Sequence, residues 1–510
     1  MTARVSVPLL PGEHWWGGAV ADGVRMPFGD VALARDLGEN TGLLHDPTDG
    51  ANQAAPLLVS DQGRFIGSER PFAFAFEEGR LTLTGDARLQ QADKPSLREA
   101  FRAASATYFP PSGKTPAREL FDGPQYNTWI EAPYTPTQEG VLGYVRRLVE
   151  AGFPPGVLMI DDSWSPGYGV WTFDPVRFPD PRAMLDELRA LGFPVMLWIV
   201  PFVSPDTATF RELRQQGLLL RDETGEVAIR QWWNGYSAVL DLTHPAATAW
   251  LDGQLERLME LGVAGFKFDG GDVRDYRHGD RAHVAAEPVD QTEAWGRYGL
   301  DYPFNEFRAG WRLGGQPLAQ RLHDKPATWD DRGLRSLIPE GIAQGLIGHP
   351  FTCADMVGGG DIASFAPGVV VDQELFVRYA QCAALFPMMQ FSISPARVLD
   401  AAHLRAVHLA LGIRDAFLPR ILELADHAAQ TGEPIIRALA YHFDGFADVA
   451  DEFLLGDSIL VAPVLEPGAT KRRVILPPGL WRASDSAAPV SGVVELDVDL
   501  SSLPVFTRVS

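Results

Sequence analysis

The first 115 or so residues read as strands. Apolar runs at 56–60 and 71–76 are strand-length, and the turn-forming groups Asp61-Gln62-Gly63 and Glu77-Glu78-Gly79 interrupt them. Residues 80–84, Arg-Leu-Thr-Leu-Thr, alternate with the period of two expected of a half-buried strand. This texture predicts an N-terminal β-sandwich over residues 1–118, closed by a linker-like Pro110-Pro111-Ser112-Gly113-Lys114.

From about residue 122 short apolar runs alternate with amphipathic stretches, as repeated βα units require. Val141, Leu142, Val145, Leu148 and Val149 mark one face of a helix that stops at Gly152, and further helices are predicted over 181–192 and 246–262. Strand-like runs fall at 126–130, 157–160, 195–200, 238–242, 264–268, 317–322, 346–353 and 388–392. Eight such runs predict an α/β fold, a (β/α)₈ TIM barrel over residues 119–425. Strands return beyond it, with 452–456, 459–465 and 474–476 leading to the turn Pro477-Pro478-Gly479, and predict a small C-terminal β domain over 426–510.

Composition narrows the function classes. A chain of 510 residues is too long for one core, and 46% apolar with 22% charged residues is a folded, non-disordered balance. The formal net charge of −22 argues against nucleic acid and anionic membranes as partners, since both demand basic patches. Cys353 and Cys382 sit in apolar segments and read as two buried thiols. The N-terminal stretch lacks a signal-like apolar run and no run is long enough to span a membrane, so the expected compartment is the cytoplasm. Self-association into a homo-oligomer is left open.

Catalytic groups of a TIM barrel gather at the C-terminal ends of its strands. Those ends carry Asp161-Asp162-Ser163-Trp164, Trp198, Lys267-Phe268-Asp269-Gly270-Gly271-Asp272, His323-Asp324 and Ala354-Asp355. One such carboxylate is readily a helix cap, but several on one face are harder to explain that way. Two carboxylates flanking a sugar suffice to break a glycosidic bond. No His-x-His pair suggests a metal and no serine elbow suggests a serine nucleophile, so no cofactor is expected. The glycine run Gly358-Gly359-Gly360 is weak evidence for a phosphate cradle. Trp15 and Trp16 read as sandwich core rather than as pocket.

The motifs GVLMIDDSW (156–164), MLWIVPF (196–202), GFKFDGGD (265–272), GLRSLIPEGIAQGLIGHPFTCADMVGG (333–359), FLLGDSILVAPVLEPG (453–468) and LPPGLW (476–481) occur in one order along the chain. Together they resemble glycoside hydrolase family 31. The resemblance implies a retaining α-glycosidase acting through a covalent glycosyl-enzyme on a small oligosaccharide or glycoside. It implies Asp269 as nucleophile, with Asp272 a rival in the same motif. Asp324, five residues before Trp329, takes the acid/base position, with Asp330 and Asp331 as competitors. Asp161, Asp162, Trp198, Lys267, Arg321 and Asp355 are implied to form the sugar site. Lys267 and Arg321 stand where glucose-cleaving members carry Trp, and the Lys-Phe-Asp-Gly-Gly-Asp version resembles an α-galactosidase-type branch. An α-galactosidase is therefore the leading expectation. An α-glucosidase or α-xylosidase, or a non-catalytic glycan-binding relative, are the alternatives.

Overall fold

The computed structural model describes residues 4–29, 31–39, 52–484 and 486–509. Eight parallel strands form the central sheet. They are β1 (Gln125–Asn127), β2 (Leu158–Ile160), β3 (Val195–Ile199), β4 (Gly265–Phe268), β5 (Asn305–Phe307), β6 (Gln320–Arg321), β7 (Thr352–Cys353) and β8 (Gln390–Phe391). Their order runs β7-β6-β5-β4-β3-β2-β1-β8, and a parallel bridge from Cys353 to Met388 closes the ring. The expected barrel is present.

Its membership differs from the sequence reading at one strand. The run at 238–242 is not a barrel strand. Gly235–Val239 pairs antiparallel with Ile229–Trp232 and with Phe202–Val203 in a three-stranded sheet inserted after β3. The missing position belongs to Asn305–Phe307, whose Lys267↔Glu306 register places a carboxylate inside the ring. A three-residue strand carrying Asn and Glu has too little apolar pattern to be recognised, whereas the run at 238–242 is apolar enough to read as a buried strand. The run at 346–353 is likewise mostly helix end and turn, because the helix Leu337–Leu346 occupies its start.

The outer helices form as their patterns require. Gln138–Glu150 begins at Thr137, whose hydroxyl accepts from Gly140 N. Pro181–Ala190 and Pro245–Leu261 each carry Pro in the first turn, where no amide is needed. The long helix Ala401–Thr431 ends at Gly432 in the left-handed conformation and leads into the C-terminal sheets.

The N-terminal region is two antiparallel sheets and the helix Leu97–Tyr108. Trp15 and Trp16 are buried in its strand Trp15–Ala19, so they are core. The barrel adds a strand to this region, because Gly310–Trp311 pairs parallel with Gln53 and Ala54. Gln53 Nε2 then donates to the carbonyls of both Arg308 (2.9 Å) and Arg321 (2.7 Å). Cys353 and Cys382 are free and buried.

Candidate active site

A pocket with about 590 Å³ of open space lies at the C-terminal ends of the barrel strands. Asp161, Asp162, Trp198, Lys267, Asp269 and Asp324 all line it. The strand ends converge there because a closed barrel aims every βα loop at one mouth.

Asp269 follows β4 and is 8% exposed. Its Oδ2 accepts from Trp198 Nε1 at 2.7 Å, and its Oδ1 from Arg308 Nε at 2.8 Å and Gly270 N at 2.9 Å. Burial pushes its carboxyl up, but Arg308, Lys267 and the Trp198 hydrogen bond outweigh burial and hold it well below the usual range. Asp269 is therefore a nearly buried anion with fixed orientation. Asp272 is fully buried and bonded to Arg308 behind Asp269, so it is not placed to reach a substrate.

Asp324 follows β6, and its side chain is 22% exposed. Arg321 Nη1 donates to its Oδ1 at 2.8 Å. The competing Asp330 is turned away, bonded to Thr328 and Arg332. Asp331 lines a separate groove against the C-terminal domain. Of the three candidates, Asp324 alone lines the pocket that holds Asp269.

Asp161 Oδ2 accepts from Lys267 Nζ at 2.6 Å, and Asp161 Oδ1 accepts from Asp162 N at 2.9 Å. Asp162 is flanked by Asn234 and by Tyr168, whose hydroxyl lies 3.5 Å away. Burial, then the Asp161 charge, pushes the Asp162 carboxyl up to about 7, with the Asn234 bond opposing. Ser163 next to it holds a left-handed φ of 70°. The pair thus presents one carboxylate tied to a cation and one that takes up a proton near neutrality.

Arg321 and Asp355 do not line the pocket. Both are buried behind Asp324, where Arg321 Nη1 lies 2.7 Å from Asp355 Oδ1. The glycine run now has a structural role. A side chain at Gly360 would meet Asp324 Oδ1 and Asp355 Oδ1 at 2.8 Å, and one at Gly359 (φ 100°) would strike the Lys325 carbonyl at 2.5 Å. Those glycines let the loop after β7 close against the loop carrying Asp324.

Sequence reasoning missed Arg308, Trp129, Tyr134, Trp233 and Asn234. Arg308 follows the unrecognised β5 and stacks over Trp233, 4.7 Å from the ring centroid. Trp233 and Asn234 form the turn of the inserted hairpin. Trp129 comes from the loop after β1, with its Nε1 donating to the Gly360 carbonyl at 2.9 Å. The legible signal was the two adjacent tryptophans, Trp232 and Trp233, followed by Asn234-Gly235, a hairpin-turn dipeptide.

Comparison with known proteins agrees with this arrangement. Residues 123–423 match the model of the glycosyl hydrolases family 31 TIM-barrel domain, and residues 432–510 match that of the family's C-terminal domain. The mouse (Mus musculus) myogenesis-regulating glycosidase is 36% identical over 423 residues, which cover 79% of this chain and 58% of that protein. A 1,3-alpha-isomaltosidase of Kribbella flavida is 28% identical over 421 residues, 75% of this chain and 54% of that one. The chain thus spans little more than half the length of these relatives. In fold it is similar to a Flavobacterium johnsoniae dextranase complexed with glucose, with a TM-score of 0.86 at 19% identity over 99% of this chain and 66% of that one. With its barrel and its C-terminal region matched and the two carboxylates in one pocket, the chain belongs to glycosyl hydrolase family 31.

Proposed function

We propose that this pocket hydrolyses terminal α-linked sugars with retention of configuration, and that α-galactosides are the preferred substrates. The observation that carries the reading is Asp269, an oriented anion in the same pocket as the partly exposed Asp324. Asp269 attacks the anomeric carbon, forming an ester bond as the glycosidic C–O bond breaks, and Asp324 passes its proton to the departing oxygen. Water then attacks the same carbon, Asp324 takes back a proton, and the Asp269 ester bond breaks. The net change is one water consumed and one free sugar released with its original anomeric configuration. The preference for galactose rests on Lys267 and Asp161, a hydrogen-bonded ion pair at the pocket wall that binds hydroxyls by direction rather than by stacking.

Aryl α-glycosides of galactose, glucose and xylose test this directly. Turnover is expected to be fastest on the galactoside and to fall about 10⁴-fold or more in Asp269→Asn with the melting temperature kept. Faster cleavage of the glucoside or xyloside would move the assignment within the family, and absence of turnover on all three would favour a glycan-binding protein. Asp324→Ala is expected to keep its first step on substrates with acidic leaving groups and to regain turnover with azide.

A further inference from the structure

The two reacting carboxylates are each held by an arginine that also touches a fully buried carboxylate, but the two arrangements differ in how the donors are shared. Arg308 gives separate nitrogens to its partners, Nε to Asp269 and Nη2 to Asp272. Arg321 gives one. Its Nη1 lies 2.8 Å from Asp324 Oδ1, 2.7 Å from Asp355 Oδ1 and 3.0 Å from the Leu322 carbonyl. That nitrogen carries two hydrogens for three acceptors. On its other edge Arg321 Nε faces Glu306 Oε1 at 3.3 Å. One guanidinium therefore sits among three carboxyl groups, all of them within hydrogen-bonding or ion-pair reach.

Such a cluster has more negative charge than its cation neutralises, and a buried excess of this kind is relieved by keeping a proton. Asp355 cannot leave the contest. Its Oδ2 accepts from Lys325 N at 2.8 Å and Gly360 N at 2.7 Å, which fixes Oδ1 on Arg321, and its side chain is 0% exposed. Tyr379 faces it from the helix Gln373–Ala384, with its hydroxyl 3.5 Å from Oδ2. Glu306 is similarly fixed by Gln390 Nε2 at 2.6 Å. Two lysines temper this excess without removing it: Lys325, whose Nζ is bonded to Glu340 on the helix Leu337–Leu346, still draws the Asp355 carboxyl downward, and Lys267 does the same to Glu306. On the pocket side Arg308 feels the Asp324 charge, as does Tyr134, but Arg308 is committed to Asp269 and Asp272.

We infer that Asp355 is a positioning residue for the acid/base: by competing for Arg321 Nη1 it prevents that arginine from stripping the proton that Asp324 must deliver. This rests on the reading of Asp324 as the general acid, and it explains why a carboxyl meant to donate a proton sits against a guanidinium at all.

The test is the titration of Asp324 in the full chain, followed by carboxyl ¹³C signals of selectively labelled aspartate and assigned by the signal lost in Asp324→Asn. In Asp355→Asn the competitor's charge is gone, so the Asp324 midpoint should fall by about one pH unit or more. In Arg321→Gln the cation is gone and two carboxylates remain, so the midpoint should rise by about as much. Opposite shifts are the expected result, and where one variant does not fold the other carries the test alone. A midpoint that stays put, or that moves the same way in both, overturns the inference even in a protein that cleaves α-glycosides well. In the enzyme, the basic limb of kcat/KM on alkyl glycosides should follow the same two directions. On substrates whose leaving group needs no proton that limb should not move. A merely structural role for Asp355 would lower rates on both substrate types alike.

Discussion

Asp162 and Lys267 are both bonded to the same carboxylate, Asp161. The Asp162 carboxyl is raised from 3.8 to about 7, so between those values the folded protein holds a proton that the unfolded chain has lost. Stability contributed by that group therefore falls as pH rises through the window from about 4 to 7. Asp162→Asn removes this dependence, so its melting temperature relative to the parent should be higher at pH 8 than at pH 4; a constant difference would show that Asp162 ionises freely. Lys267 is the counter-charge, and its ammonium is buried against Asp161. Lys267→Met should lower kcat/KM for the galactoside about tenfold more than for its 4-epimer, since a directed donor discriminates where an apolar side chain cannot. Equal losses on both sugars would assign the selectivity elsewhere. Most of these residues were legible in the sequence because each is an acid or a tryptophan at the end of an apolar run. Arg308 was not, since a lone arginine after a three-residue strand looks like any surface cation. Asp324 could be narrowed to three candidates, and only folding separates one that lines the pocket from two that do not.

At the scale of elements, the insert after β3 and the loop after β7 decide the shape of the pocket. The apolar run at 238–242 looks like a barrel strand, and only the antiparallel pairing of Gly235–Val239 excludes it from the ring. Periodicity reports burial on one face and says nothing about which sheet a strand joins. The barrel was therefore recognisable as a set of eight, while one of its members was not. The glycine run after β7 is similar, since in the sequence it offered weak evidence of a phosphate cradle and its reason is close approach. Asp361 N donates to the Lys325 carbonyl at 3.0 Å, and Ala327 N to Ser364 Oγ at 2.9 Å, so the two loops are tied to each other. Gly359→Ala should push the Asp324 loop outward and cost about 10²-fold in kcat on alkyl glycosides. Much less should be lost on aryl glycosides with acidic leaving groups, and an equal loss on both would mean the displacement reaches Asp269 as well.

For the whole molecule, the N-terminal sheet and the barrel share one amide at a decisive point. Gln53 serves the backbone of Arg308 and of Arg321, the arginines bonded to Asp269 and Asp324, and it is 3% exposed. Gln53→Leu keeps the volume and orphans two buried carbonyls, so it should cost about 2 kcal/mol or more of stability, read as a lower denaturant midpoint. It should also lower kcat on α-glycosides with good and poor leaving groups together, because both arginines lose their anchor. A normal kcat in the folded variant would show that the barrel alone holds them.

That anchor also imposes an order in time. Gln53 precedes Arg308 by 255 residues and Arg321 by 268. At a synthesis rate of about 5–20 residues per second, the amide waits roughly 13–50 s for its first partner to be made. The sheet around it can form early from local pairings, but the two arginines settle only after the barrel has grown through β6 and docked back onto it. Catalytic competence should therefore be among the last properties a newly made or refolding chain acquires. In a refolding time course, hydrolysis should lag behind the recovery of secondary structure.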